Sequence, residues 1–143
     1  MIIKRLEKTD IPALTAIENA CFPDAWSALS WQEEFSRAEF IGFACKDGER
    51  LIGYVCGTRL FEESELLKIA VAPNARKQGV GEQLLAAFCT EAKTLGAEKM
   101  FLEVRESNVP ALRLYQKSGF TPTRVRKRYY ENGENAVEMV KTL

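Results

Sequence analysis

The sequence predicts an α+β fold with a mixed sheet, and three features of its pattern carry that reading. Two helical segments follow the first strand, two strands are then joined by a tight Asp47-Gly48 turn, and a strand–helix–strand crossover comes only after them. Strands joined by tight turns run antiparallel, whereas a strand that returns through a long helix lies parallel, so one sheet must contain both.

The elements follow in order. Ile2 to Glu7 reads as a first strand. A helix runs from about Asp10 to Ala20, with Pro12 in its first turn and Leu14, Ile17 and Cys21 on one face. Phe22-Pro23-Asp24-Ala25-Trp26-Ser27 is a loop, and Ser30-Trp31-Gln32-Glu33 is a capping-box pattern that opens a short second helix. Phe40 to Lys46 and Leu51 to Phe61 are strands, and a further strand from Glu65 to Val71 ends at a Pro73-Asn74 turn. Apolar residues then recur at Val80, Leu84, Leu85, Phe88, Ala92 and Leu95, a helical spacing closed by Gly96. Lys99 to Val104 is the returning strand. Asn108 caps a last helix with a buried stripe of Ala111, Leu112 and Tyr115, which ends before Gly119-Phe120. Thr121–Tyr130 and Ala136–Val140 are strands flanking an Asn132-Gly133 turn.

With 143 residues, the chain is expected to form a single domain spanning 1–143 around one substantial core. Twenty basic residues balance twenty acidic ones, so no net field draws the chain to nucleic acid or a membrane, and direct nucleic-acid binding is not expected. No apolar run approaches the ~20 residues of a membrane span, and no signal-peptide pattern opens the chain, so the expected location is cytoplasmic. Cys45, Cys56 and Cys89 form no CxxC pair and read as small core residues. The chain has no histidine, which removes His-based triads and the commonest general base, and no metal is expected. Proton transfer then falls to a carboxylate, a tyrosine, a lysine or water.

The densest chemical signal is the turn between the Glu65–Val71 strand and the long helix, Arg76-Lys77-Gln78-Gly79-Val80-Gly81. A helix N-terminus offers unpaired N–H groups and a partial positive charge, and glycine there lets a phosphate approach bare backbone. The segment therefore reads as an anion site, most simply for a pyrophosphate. A phosphate-binding GxxxxGK[ST] loop is absent. A dinucleotide GxGxxG fingerprint lacks its third glycine, because Leu84 stands there, although Glu103 lies roughly 20 residues on, where a ribose-binding acid would sit. A glycine-eased helix start with no ligand is the plain structural alternative.

The same hexapeptide resembles the Q/R-x-x-G-x-G/A signature of the GNAT (Gcn5-related N-acetyltransferase) superfamily, which binds the pyrophosphate of acetyl-coenzyme A. Leu67-Lys68-Ile69-Ala70-Val71-Ala72-Pro73 is similar to that family's preceding strand, and Asn108-x-x-Ala111-x-x-Leu114-Tyr115-x-x-x-Gly119-Phe120 to its later helix. The likeness covers nearly the whole chain. It implies a three-layer α/β arrangement: a mostly antiparallel sheet of about seven strands with about four flanking helices. It also implies acetyl-coenzyme A as cosubstrate, held along its pantetheine arm by Ile69, Ala70 and Val71 and at its pyrophosphate by Arg76, Lys77, Gln78, Gly79, Val80, Gly81 and Glu82. Asn108 would lie near the cofactor arm.

Glu103-Val104-Arg105-x-Ser107-Asn108, the Tyr115 block, Arg128-Tyr129-Tyr130 and Phe22-Pro23 with Trp26-Ser27 resemble, more narrowly, RimI-type enzymes. These acetylate the N-terminal alanine of a small-subunit ribosomal protein. The resemblance implies a ribosomal-protein N-terminus as acceptor, with Glu103 as proton acceptor and Tyr115 as proton donor. The chain departs from the pattern at a slightly expanded Phe22–Trp31 loop and at Glu134-Asn135, where the family often has Glu-Asp.

The chemistry is consistent with those roles. An α-amine with a pKa near ~8 is mostly protonated at neutral pH and must lose a proton before attacking a thioester, which asks for a base. A departing thiolate needs a proton, which a phenol can supply. A backbone N–H near Ala70–Val71 could polarise the thioester carbonyl, as oxyanion donors do. The plain alternatives are a solvated carboxylate for Glu103, a packed aromatic for Tyr115 and an N-cap alone for Asn108. Arg124, Arg126 and Arg128 are expected on one strand face, either protecting an edge or meeting an acidic partner or phosphates. Trp26, Trp31, Tyr129 and Tyr130 are candidates for an acceptor groove or for core. Small-amine acetylation and non-catalytic acyl-coenzyme A binding are the competing functions.

Overall fold

The computed structural model describes residues 1–143. In chain order the elements are β1 (Ile2–Arg5), α1 (Ile11–Cys21), α2 (Ala28–Phe35), β2 (Phe40–Asp47), β3 (Arg50–Leu60), β4 (Glu63–Val71), α3 (Val80–Thr94), β5 (Lys99–Arg105), α4 (Val109–Lys117), β6 (Thr121–Arg126) and β7 (Ala136–Thr142). The strands form one seven-stranded sheet in the order β1-β2-β3-β4-β5-β7-β6. Every neighbouring pair is antiparallel except β4 and β5, which are joined by the α3 crossover and run parallel. The mixed, mostly antiparallel sheet is the one the hairpin and crossover pattern predicts.

Two apolar cores cover its two faces, which gives three layers. Leu84, Leu85 and Phe88 of α3 pack with Met100, Leu102, Val104, Tyr115, Phe120 and Met139 on one face. On the other, Leu14 and Ile17 of α1 and Trp31 of α2 pack on Ala44, Tyr54, Cys56 and Ala70. Cys45, Cys56 and Cys89 are buried and unpaired, as small core residues. Because Met100, Leu102 and Val104 point toward α3 and α4, strand alternation turns Phe101, Glu103 and Arg105 to the opposite face.

The feature that opens the sheet is a bulge in β4. Cys56 lies opposite Lys68 but Gly57 lies opposite Leu66, so Leu67 is an extra residue on β4. Gly57 is required there, since a Cβ on it would come within 2.0 Å of the Glu65 carbonyl oxygen. Pairing between β4 and β5 stops at Glu65 and Phe101, just before the bulge. Beyond that point the two strands part.

Three local expectations are corrected. The cap of α2 is Ser27, not Ser30: the Ser27 side chain accepts from the Ser30 amide, so the helix starts three residues early. The strand expected over Thr121–Tyr130 ends at Arg126. A register shift follows Pro122, which has no N–H to give, and Arg128 has a φ of 52°, so it leaves the face it was expected to share. Arg124 and Arg126 remain, and both reach Glu138, which is the edge-protecting reading. Trp31 is wholly buried and belongs to the core rather than to a groove.

Candidate functional site

The site begins at the turn into α3. Lys77 and Gly79 both take left-handed backbone angles, with φ of 64° and 77°, which turns successive amides toward one side. Gly79 is required by that angle alone, since a Cβ there would meet nothing within 4 Å. Helices α2 and α4 are capped by side chains, from Ser27 and Asn108, but α3 has none. Its first internal backbone bond runs from the Gln83 amide to the Gly79 carbonyl, and none of the amides from Arg76 through Glu82 donates within the chain. A run of bare N–H groups at the positive end of a four-turn helix has the donors and the partial charge to receive an anion. Of the two cations expected beside it, Arg76 is engaged elsewhere. Its Nε donates to the Val71 carbonyl at 3.1 Å and its Nη2 lies 3.4 Å from Cys21 Sγ. The Glu82 carboxylate is paired with Lys117 of α4 at 2.9 Å, which offsets its charge near an anion.

The receptor opens onto the gap between β4 and β5. The Ala72 amide donates to Ile52 on β3. By the two-residue period of a strand, the Ala70 amide also faces β3, while those of Ile69 and Val71 face the gap. The unpaired stretch of β4 therefore presents main-chain groups at alternate residues to anything extended along it. Ile69 and Val71 carry that edge, and Ala70 is turned into the α1–α2 core. Asn108 caps α4 by accepting from the Ala111 amide at 3.3 Å, at the far side of the same opening.

Glu103 lies on β5 just past the last β4–β5 pair. Its carboxylate has Arg126 Nε at 3.7 Å, and one oxygen is out of solvent without a hydrogen-bond donor. A shielded, underused acceptor at the mouth of a gap is what a base requires. Beside it lies a cavity of about 720 Å³ lined by Phe101, Glu65, Glu39, Glu138, Leu60 and Phe61, among others. Glu65 is exposed at the cavity wall, where partial desolvation raises its carboxyl above the ordinary carboxylate value and the charge of Glu103 adds to the shift. The charge of Glu103 also raises the Tyr129 phenol above its ordinary value.

Tyr115 sits on the inward stripe of α4, 6% exposed, with its ring edge-on to Phe120 at 5.9 Å. Burial, with Tyr130 nearby, pushes its phenol well above the ordinary value, so it stays protonated throughout the physiological range. Tyr115 is thus a packed aromatic whose phenol keeps its proton.

Two loops converge on the Glu103 face, and sequence reasoning assigned their anchors no role. Arg105, two residues on from Glu103, stacks on Tyr130 with its guanidinium carbon 4.0 Å from the ring centre. It also reaches Glu134, Asn132 and Asp24. Glu134 is held below its ordinary value first by the Ser107 hydroxyl, then by Asn132 and Arg105. On the α1–α2 side, Glu18 is fully buried, bonded by the Tyr54 hydroxyl and by Lys68 Nζ at 2.9 Å. The same ammonium lies 4.7 Å from the Phe22 ring centre and 4.8 Å from that of Trp26. Tyr129 is half exposed beside Glu103, whereas Trp26 is part of the packed loop. The available signal for Arg105 was its strand parity with Glu103; nothing in the chain announced the buried Glu18–Lys68 pair. No group of side chains is placed to hold a metal ion.

Comparison with known proteins gives a consistent result. Residues 11–120 match the model of the acetyltransferase (GNAT) family. The [ribosomal protein bS18]-alanine N-acetyltransferase of Escherichia coli (strain K12) is 30% identical over 140 residues, spanning 96% of this chain and 94% of that one. An N-alpha-acetyltransferase of Sulfurisphaera tokodaii is 29% identical over 154 residues, spanning 99% of this chain and 92% of that one. The crystal structure of the Escherichia coli ribosomal-protein-S18-alanine N-acetyltransferase superposes with a TM-score of 0.91 at 30% identity, covering 99% of this chain and 92% of that chain.

Proposed function

We propose that this chain, which belongs to the acetyltransferase (GNAT) family, acetylates the N-terminal alanine of a small-subunit ribosomal protein from acetyl-coenzyme A by direct transfer. The observation that carries the reading is the run of bare amides from Arg76 through Glu82, opening onto a gap whose far wall bears Glu103. That run fits a diphosphate, and the free edge at Ile69 and Val71 fits an extended amide-bearing arm.

When bound there, acetyl-coenzyme A supplies an acyl group activated as a thioester. Amides from Lys77, Gln78, Gly79, Val80, Gly81 and Glu82 hold the diphosphate, with Lys77 supplying charge. Ile69 and Val71 orient the arm, and the Val71 amide faces the position where carbonyl charge develops. Asn108 fixes the start of α4 beside that arm. Glu103 takes the proton from the acceptor ammonium, directly or through a water, and Tyr115 returns one at the sulfur side. The carboxylates around the Glu103 cavity favour a cationic acceptor over an anionic one.

The test is a mass shift of one acetyl group on an N-terminal peptide of a small-subunit ribosomal protein. A panel of small amines is run in parallel. Silence with every peptide and turnover of one amine would replace this acceptor with a small molecule. Cofactor binding with no turnover of either would make the chain a binding module.

A further inference from the structure

The acceptor must reach Glu103 from the sheet face that Phe101, Glu103 and Arg105 share, since the opposite face is filled by α3, α4 and their core. The α1–α2 loop and the β6–β7 loop border that approach. The β6–β7 loop joins the two strands at one end of the sheet, the α1–α2 loop joins two helices that pack over its middle strands, and no strand pairing joins the loops. Arg105 is the side chain that touches both.

Its guanidinium divides the work between its two terminal nitrogens. Nη1 donates to Glu134 Oε2 at 3.0 Å and to Asn132 Oδ1 at 3.2 Å, both on the β6–β7 loop. Nη2 donates to Asp24 Oδ2 at 3.4 Å, on the α1–α2 loop. The guanidinium carbon lies over the ring of Tyr130, itself close enough to Tyr115 to affect its phenol. The two arms differ in strength. The Arg105 side chain is 24% exposed and Glu134 28%, whereas Asp24 is 67% exposed and makes one long bond. The β6–β7 arm is therefore held by several contacts and the Asp24 arm by one.

We infer that Arg105 is a positioning residue: a two-armed tie that joins the α1–α2 and β6–β7 loops into one acceptor entrance, with Asp24 as the arm that releases. The inference rests on the acetyltransferase reading of Glu103. A lysine is not equivalent to Arg105, because it lacks the two separate terminal nitrogens with which the guanidinium bonds Glu134 and Asp24. Phe22 and Trp26, on either side of Asp24, are anchored from beneath by Lys68, so release at Asp24 opens the rim without unfolding the loop.

The experiment uses Asp24→Asn, Arg105→Lys and the double variant of the full chain, with the ribosomal N-terminal peptide as acceptor. Asp24→Asn should raise the acceptor KM about fivefold, the scale of one partly exposed ion pair, with kcat and acetyl-coenzyme A affinity within about twofold. Arg105→Lys should raise it at least as much, and the double variant should match Arg105→Lys alone, because both changes cut the same arm. Amide hydrogen exchange over residues 22–27 should quicken in both single variants. An acceptor KM within about twofold of native in Asp24→Asn, or effects that multiply in the double variant, would overturn the tie while leaving the enzyme's function intact. If the native chain acetylates no peptide, the functional reading fails instead. In that event exchange decides the tie alone: unchanged exchange over residues 22–27 in Arg105→Lys overturns it, and quickened exchange sustains it.

Discussion

Replacing Tyr115 by phenylalanine separates the chemistry from the packing at one atom. The Tyr115 hydroxyl is perturbed by burial and by Tyr130, with no hydrogen-bond partner in the chain, so removing its oxygen strands nothing. The ring stays against Phe120, and the stability of the variant should lie within about 0.5 kcal/mol of native. Turnover should fall by about tenfold to a hundredfold, equivalent to about 1.4–2.7 kcal/mol of barrier, with acetyl-coenzyme A affinity unchanged. Tyr54→Phe is the control that reverses the pattern. Its hydroxyl donates to the fully buried Glu18 carboxylate, so its loss should cost about 1.5–3 kcal/mol of stability. Urea denaturation and steady-state kinetics on the two variants make the comparison. Full turnover in Tyr115→Phe would refute the proton-donor role, and a large loss of stability there would refute the claim that its hydroxyl is unpartnered.

The remaining predictions concern the anion turn, the acidic cavity and the buried ion pair. Gly79→Val should destabilise the chain by about 1–2 kcal/mol through its backbone angle alone and weaken coenzyme A binding at least about tenfold by calorimetry; unchanged affinity would count against the amide receptor. The Glu65 carboxyl titrates above its unfolded value, so folding loses stability as pH rises through the folded value. Glu65→Gln should therefore stabilise the chain at neutral pH, with the gain fading as pH falls below the ordinary carboxylate range near ~4; a pH-independent difference would exclude that origin. Lys68→Met should cost about 3–5 kcal/mol, because it leaves Glu18 charged and fully buried with the Tyr54 hydroxyl as its remaining donor. Adding Glu18→Gln should return part of that loss in denaturation experiments, and a cost below about 1 kcal/mol for Lys68→Met would show that the pair is not holding the loop.

Much of the fold was legible because its signals are local. Asp47-Gly48 made the β2–β3 hairpin readable, the Val80–Leu95 spacing made α3 readable, and Asn108 marked the start of α4. The misplaced details are those where two local signals compete. Ser27 and Ser30 both suit a cap, and the one followed by helix-forming Ala28 and Leu29 won. Arg128 continued an alternating pattern, but the strand had already ended at Arg126. At the candidate site the glycine turn into α3 was readable from Gly79 and Gly81, whereas the engagement of Arg76 with Val71 was not, since it depends on how the turn folds back on β4.

The sequence by itself determined the order of elements, the mixed sheet and the turn of bare amides, because each is set by residues within a few positions of one another. Only the tertiary structure decided where β4 leaves β5, which pulls an edge open beside Glu103, and which distant loops meet at Arg105. It also decided that Glu18 and Lys68, 50 residues apart, are buried together beneath Phe22 and Trp26. Such contacts arise when the two apolar cores close on the sheet, and a burial that brings together remote parts of the chain leaves no periodic trace in either part.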